Sequence, residues 1–358
     1  MRRIQIVSTE KHAGKSLLSL AIGCELLSRG QTVAYMKPIS FEVSYSTGEP
    51  IDRDANTVRE ILELDDNLHD VAPVPLEGPF LREAIESGDR GFRRRITSAF
   101  DRVSASRDVA IIEGRSYLGL GISAGLSDLD LADMLETDIL LLTHFDGEEA
   151  IDRVLYALRL FENGPRVLGI VLKDVPVDRS QLMVEEVYVP FLADRSAEVL
   201  GMVPFNPSIR SVPTDEIAKR LGGRVLSNIG GDNEVQHFVV GALGAEESRR
   251  SFRRTPNLGV ITGGGRRDII EAALDAPSLQ CLVLTGHQRP PRDLVDRANS
   301  QSIPMILAGQ NTLPTAVLCS EMLDRVWVKP GPTLDAAVEH VRTNIDVDRI
   351  LEKATDRP

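Results

Sequence analysis

Four places in the first third of the chain carry residue types at spacings suited to phosphate chemistry. The first is Ser8-Thr9-Glu10-Lys11-His12-Ala13-Gly14-Lys15-Ser16, between a short apolar run at 4–7 and a helical pattern that begins at Leu17. A strand, a tight turn ending in Gly-Lys-Ser and a helix is the layout of a phosphate-binding loop. Its backbone N–H groups and the positive end of the helix attract phosphate oxygens. Lys15 would neutralise the outer phosphates and the Ser16 hydroxyl would hold Mg²⁺. Thr9 stands where the first glycine of G-x-x-x-x-G-K-[ST] usually falls, so the match is incomplete. The second place is Lys37, set before Pro38 at the end of an apolar run. A lysine at the carboxyl end of a parallel strand can stabilise charge on a transferring phosphoryl group; it can also be a surface lysine beside a turn.

The third place is Asp52-Arg53-Asp54, opening a helix with Val58, Ile61 and Leu62 on its apolar face. Capping accounts for at least one of these acids, and a metal-directed carboxylate is the other reading. The fourth is Glu113-Gly114, after the apolar run Val109-Ala110-Ile111-Ile112. An acid at the end of a buried parallel strand sits where a Mg²⁺-directed carboxylate belongs, and coupling to Gly-Lys-Ser favours that over a turn residue.

These residues need a scaffold that brings strand ends together. Leu17, Leu18, Ala21, Ile22 and Leu26 recur at helical spacing, with Arg29-Gly30 as the stop. Strands are expected at 32–36, 109–112, 139–142, 167–172 and 199–203, with a helix bearing Ile151, Val154, Leu155 and Leu158. Residues 65–95 read as loop and short helices over the sheet. Strand and helix alternating to about residue 204 predict a doubly wound parallel sheet.

Beyond Pro204-Phe205-Asn206-Pro207 a second α/β layer is expected, with strands at 238–241, 258–261, 281–284 and 303–307. The turn Gly263-Gly264-Gly265-Arg266-Arg267 is readable as an anion pocket or as glycines that only let the chain turn. Residues 334–351 predict an amphipathic helix bearing Ala337, Val338, Val341 and Ile345, able to cap this layer or join subunits.

At 358 residues the chain is long for one core, and its 41 basic against 53 acidic residues give a net charge of −12. That charge argues against nucleic acid and anionic membranes as partners, and Arg93-Arg94-Arg95 reads as a solvated face. Three cysteines far apart suit a reducing compartment. With no leader pattern and no bilayer-length apolar segment, a cytoplasmic protein is expected.

Residues 8–16, Lys37-Pro38, Asp54-Ala55, Glu113-Gly114 and Gly169-Ile170-Val171-Leu172, in this order and spacing, resemble dethiobiotin synthetase. The same fold recurs in cobyrinic acid a,c-diamide synthase and in the N-terminal region of long phosphotransacetylases. The likeness covers about residues 1–205 and implies ATP and Mg²⁺ as cofactors. Thr9, Glu10, Lys11, His12, Ala13, Gly14, Lys15 and Ser16 would then bind the nucleotide, and Ser16, Asp54 and Glu113 the metal. Lys15 and Lys37 would be catalytic. Three departures stand out: Ile39-Ser40-Phe41-Glu42 replaces a small substrate loop, Arg115-Ser116-Tyr117 replaces small residues, and Lys173 replaces an asparagine that reads adenine.

Val240-Gly241-Ala242, Val260-Ile261-Thr262-Gly263, Gly265-Arg266-Arg267-Asp268-Ile269-Ile270 and Leu284-Thr285-Gly286 resemble the DRTGG domain over about residues 210–323. That likeness implies a smaller α/β regulatory domain associated with homo-oligomers, leaving 324–358 as a helical tail. Together the two halves look like the front of a phosphotransacetylase without its acyltransferase domain, so acetyl transfer is not expected. The expected function is an Mg·ATP-binding, ATPase-like sensor or regulator. The alternative is an ATP-dependent ligase acting through a phosphorylated carboxylate or carbamate.

Overall fold

A computed structural model describes every residue except 41–42, 45–49, 77–90, 178, 228–232, 324–326 and 358. The Phe41-Glu42 stretch and residues 77–90 of the expected loop and short helices at 65–95 therefore lie outside the described residues, while Leu68–Val71 is a short helix. The chain divides into two compact units, residues 1–206 with 328–358, and residues 207–327.

The first unit is built on six strands: β1 (Arg2–Ser8), β2 (Val33–Met36), β3 (Val109–Glu113), β4 (Asp138–His144), β5 (Val167–Val175) and β6 (Val199–Pro204). Their order is β6-β5-β4-β1-β3-β2, and every pairing is parallel. Helices α1 (Lys15–Ser28), α2 (Arg53–Ile61), α3 (Phe92–Val103), α4 (Asp128–Leu135) and α5 (Glu148–Phe161) connect them. Strand residues alternate between two buried faces. Val7, Ile139, Leu141, Ile170 and Leu172 pack against Ala150, Ile151 and Val154 of α5, while Ile4, Ile6 and Leu140 are equally buried on the opposite face. Burial on both faces is why these strands read as unbroken apolar runs. In this order β1, with the loop that follows it, lies between β3 and β4, so the strand carrying Glu113 borders the loop directly.

The second unit holds β7 (Arg224–Val225), β8 (His237–Val240), β9 (Leu258–Gly263), β10 (Leu279–Thr285) and β11 (Met305–Leu307), ordered β7-β11-β10-β9-β8. β8 to β11 run parallel, and β7 pairs antiparallel with β11. Its helices of eight residues or more, among the described residues, are α6 (Ala245–Arg254), α7 (Arg267–Leu274), α8 (Arg292–Ser300) and α9 (Thr312–Leu323). Val260, Leu282 and Leu284 pack with α7 and α8, whereas Ile261, Cys281, Val283 and Ile306 pack with Ile217 and with Cys319 of α9. The fold is thus α/β throughout, a doubly wound parallel sheet followed by a smaller α/β layer.

The tail expected at 334–351 is two helices, α10 (Pro332–Arg342) and α11 (Val347–Lys353), within the first unit rather than on the second. Ile345, expected on the helix, is extended and bridges Gly201 of edge strand β6. The Met202 N–H donates to Asn344 O at 3.1 Å and the Asp346 N–H to Leu200 O at 2.7 Å, which satisfies the edge of the sheet. Buried Leu334, Ala337, Val341, Val347 and Ile350 anchor the segment. Its surface ion pairs, such as Arg342 to Glu25 at 2.6 Å and Lys353 to Glu198 at 2.9 Å, each add roughly 0–1 kcal/mol. Among the described residues no helix is long and apolar enough to cross a membrane.

Candidate functional site

The loop after β1 closes on Gly14, which caps α1 at φ 98°, a left-handed conformation that glycine adopts without strain. Lys15 and Ser16 then enter the helix as buried residues. Lys15 Nζ donates to Ser8 Oγ at 2.9 Å and to Ser116 O at 3.4 Å. Burial pushes this ammonium below the ordinary lysine range, and the carboxylates of Glu113 and Asp128 only partly oppose it.

Glu113 is the hub. Its Oε1 accepts from Ser16 Oγ at 2.9 Å, and its Oε2 accepts from the Tyr35 hydroxyl at 2.8 Å. Lys37 Nζ lies 3.7 Å from Oε1 and 2.9 Å from Asp52 Oδ2. Burial alone would lower the Lys37 ammonium, but the charges of Asp52, Glu113 and Asp54 outweigh it and hold Lys37 well above the usual range. Tyr35 is pushed up by burial first and by Glu113 second, so its phenol stays protonated and donating. Hydrogen bonds to charged groups are worth about 1.5–3 kcal/mol each, so the two hydroxyl donors on this buried carboxylate, with the Lys37 charge nearby, fix its position.

Asp52 is both a cap and a partner. Its Oδ1 accepts the Ala55 N–H at 2.8 Å at the start of α2, while its other oxygen pairs with Lys37. Asp54, in the first turn of α2, adds its charge to the field at Lys37. Asp52 is thus the acid that caps the helix, and its second oxygen is taken by an ammonium rather than left for a metal.

Other loop residues face different ways. Glu10 turns to the end of β4, accepting the His144 N–H at 2.7 Å and lying 3.5 Å from Arg153. Thr9 Oγ1 meets Thr143 Oγ1 at 2.7 Å. Lys11 is exposed with its ammonium 5.5 Å from the Tyr117 ring centre, His12 is exposed at φ 57°, and Ala13 is buried. The inner flank of the loop is lined by the segment after Glu113. The Leu118 N–H donates to Ser8 O at 3.0 Å, and Ser116 O receives Lys15 as described.

Arg115, buried, donates its N–H to Asp128 Oδ1 at 2.7 Å and its guanidinium to Leu126 O at 2.9 Å. Burial pulls Arg115 down to about 10 and pushes Asp128 up to about 6, each opposed by the other's charge.

Tyr35 and Asp128 were not singled out from sequence. A signal for Tyr35 existed: it precedes Lys37 by two residues on an extended segment, so alternation puts both on one face. No local pattern announces Asp128. Among the described residues no three His, Cys, Asp or Glu side chains cluster as a self-sufficient metal site.

The second glycine turn is different. A Cβ on Gly264 would lie 1.7 Å from Gln288 O, and one on Gly265 would lie 2.2 Å from Gln288 Oε1. Gly264 is required by the close approach of the Gln288 backbone in the β10–α8 loop, whereas Gly265 faces the movable end of the Gln288 side chain. Arg266 pairs with Asp268 at 2.9 Å, and Arg267 with Glu271 at 2.8 Å and with Asp293.

A P-loop-type strand–turn–helix on a doubly wound parallel sheet, joined to a second α/β layer, defines the class. The chain belongs to the AAA domain family AAA_26, which matches residues 2–212, and a DRTGG domain matches residues 216–322. A phosphate acetyltransferase of Pseudomonas putida is 26% identical over 365 residues, covering 97% of this chain and 51% of the relative. The chain therefore spans about half the length of the phosphate acetyltransferases it matches. ATP-dependent dethiobiotin synthetase BioD of Aromatoleum aromaticum is 26% identical over 201 residues, covering 56% of this chain and 88% of the relative. Among solved structures, cobyrinic acid a,c-diamide synthase from Mycobacterium smegmatis with bound ATP analog and magnesium is 16% identical. It covers 57% of this chain and 88% of that chain, at a TM-score of 0.35.

Proposed function

We propose that the chain is an Mg·ATP-binding P-loop protein, an ATPase-like sensor or regulator whose DRTGG unit reads or transmits the bound state. The observation that carries this reading is the convergence of Lys15, Ser16, Lys37 and Glu113 at the carboxyl ends of three adjacent strands. Thr9 to Ser16 form the nucleotide cradle, with Lys15 and Lys37 as its catalytic cations. Ser16, Asp54 and Glu113 fit Mg²⁺, a hard cation held by few protein oxygens with phosphate and water completing its shell. When bound, that ion neutralises charge on the outer phosphates. The nucleotide is taken as ATP because the aligned synthetase is ATP-dependent. Assembly into homo-oligomers through the DRTGG unit and a cytoplasmic location complete the proposal.

Titration calorimetry tests it. Mg·ATP should bind the wild-type chain and bind Lys15→Ala far more weakly; no binding by the wild type, or equal binding by both, removes the reading.

The second reading is an ATP-dependent carbon–nitrogen ligase. One observation favours it: Lys37 is held within 3.7 Å of Glu113, where it could stabilise a transferring phosphoryl group. Against it, residues 115–118 line the inner flank of the loop. ADP release that depends on an added carboxylate or diamine would establish the ligase; a rate unchanged across such compounds would eliminate it.

A further inference from the structure

Lys173 lies on β5, on the far side of β1 from Glu113 and Lys37. Its side chain is buried and runs along Gly14. From the position a Cβ on Gly14 would take, Lys173 Nζ is 3.4 Å away and its Cδ 3.6 Å. Gly14 thus serves two ends, the left-handed turn and room for this stem. The ammonium is held by Asp174, whose Oδ2 is 3.3 Å from Nζ and 2.9 Å from His144 Nδ1. The backbone is held as well: the Phe145 N–H donates to Lys173 O at 2.7 Å, and Asp174 sits at φ 61°.

This placement gathers positive charge at one helix terminus. The N-terminus of α1 carries the positive end of the helix dipole, and Lys15 already lies in its first turn. Lys173 brings a second buried ammonium to the same terminus, with Asp174, itself shared with His144, as its counter-charge. Such an arrangement suits an anion in the cradle.

Strand order says which part of the anion. Groups suited to Mg²⁺ and the outer phosphates lie on the β3 and β2 side of the loop. Lys173 flanks the other side, at the carboxyl ends of β4 and β5, where ligands of open parallel sheets extend. We propose that Lys173 is a nucleotide-contacting residue whose ammonium pairs with the phosphate nearest the nucleoside. The proposal rests on the nucleotide reading above and adds to Lys15 and Lys37 a third cation, specific to nucleoside di- and triphosphates.

The test is calorimetric titration of the full chain with Mg·ADP, Mg·ATP and Mg·GTP, comparing wild type, Lys15→Ala, Lys173→Met and Lys173→Arg. Lys173→Met should weaken all three nucleotides by a common factor of about ten, the loss of one charge-assisted contact. It should also lower the salt sensitivity of binding and leave the Mg²⁺ requirement unchanged. Lys173→Arg should recover part of the loss. Thermal unfolding of ligand-free Lys173→Met should shift down only modestly, since Asp174 loses Lys173 but keeps His144. Affinity within twofold of wild type overturns the proposal. So does a changed ratio of ATP to GTP affinity, which would mean that Lys173 reads the base. A large fall in melting temperature with a loss that Lys173→Arg does not recover also overturns it, because the role would then be structural. If Lys15→Ala loses binding while Lys173→Met does not, only this inference falls; if wild type binds nothing, the nucleotide reading falls first.

Discussion

Two glycine-bearing turns between a parallel strand and a helix, at Gly14 and at Gly264, are built for different ends. Around Gly14 the turn is surrounded by groups from distant strands, and two ammonium groups lie at one helix terminus. Around Gly264 the turn is pressed against the backbone of Gln288, and both neighbouring arginines already pair with carboxylates. The difference teaches that glycine content does not make a phosphate cradle. What matters is whether donors remain for an anion after the fold has satisfied itself, and whether space remains beside them.

The largest expected effect tests that contrast directly. Lys15→Ala should lower Mg·ATP affinity by about two orders of magnitude, whereas Arg266→Ala combined with Arg267→Ala should leave it unchanged. Calorimetry of both variants checks this, and an equal loss in the two would erase the distinction.

Next in size is the packing role of the second turn. Gly264→Ala should destabilise the second unit by about 1–3 kcal/mol through overpacking against Gln288, seen as a lower denaturant midpoint, with nucleotide affinity intact. A variant as stable as wild type would mean that the close approach is not needed.

Tyr35→Phe sharpens the metal side of the first turn. Freeing one oxygen of Glu113 should raise the Mg²⁺ concentration needed for half-maximal nucleotide binding about tenfold, as loss of a ligand-orienting hydrogen bond does. Nucleotide affinity measured without metal should not move.

The smallest effect is a pH slope from Asp128. Burial raises its carboxyl from 3.8 to about 6, so between these values the folded chain holds a proton that the unfolded chain has lost. Stability should therefore fall as pH rises from about 4 to about 6 and then level off. Asp128→Asn should remove that fall, measured as melting temperature against pH; an identical profile in the variant would refute the assignment.

Much of the fold was legible because buried parallel strands announce themselves as apolar runs and their helices by period. The loop at 8–16 was legible for the same reason, being local. The breaks came where pairing is non-local. Ile345 looked helical by spacing, but the exposed edge of β6 offered backbone partners that an extended residue could meet. Asp52 looked like a cap and is one, yet its second oxygen holds Lys37, which spacing does not show.

The sequence by itself determined that a strand, a Gly-Lys-Ser turn and a helix begin the chain, that an acid ends a later strand, and that two α/β units follow one another. Backbone propensity and hydrophobic period act over a few residues, and those features are local. Only the tertiary structure decided that Tyr35 and Glu113 share a hydrogen bond, that Gln288 fills the second turn, and that Lys173 lies against Gly14. Each depends on which strands become neighbours, and that is set by burying both faces of a sheet at once.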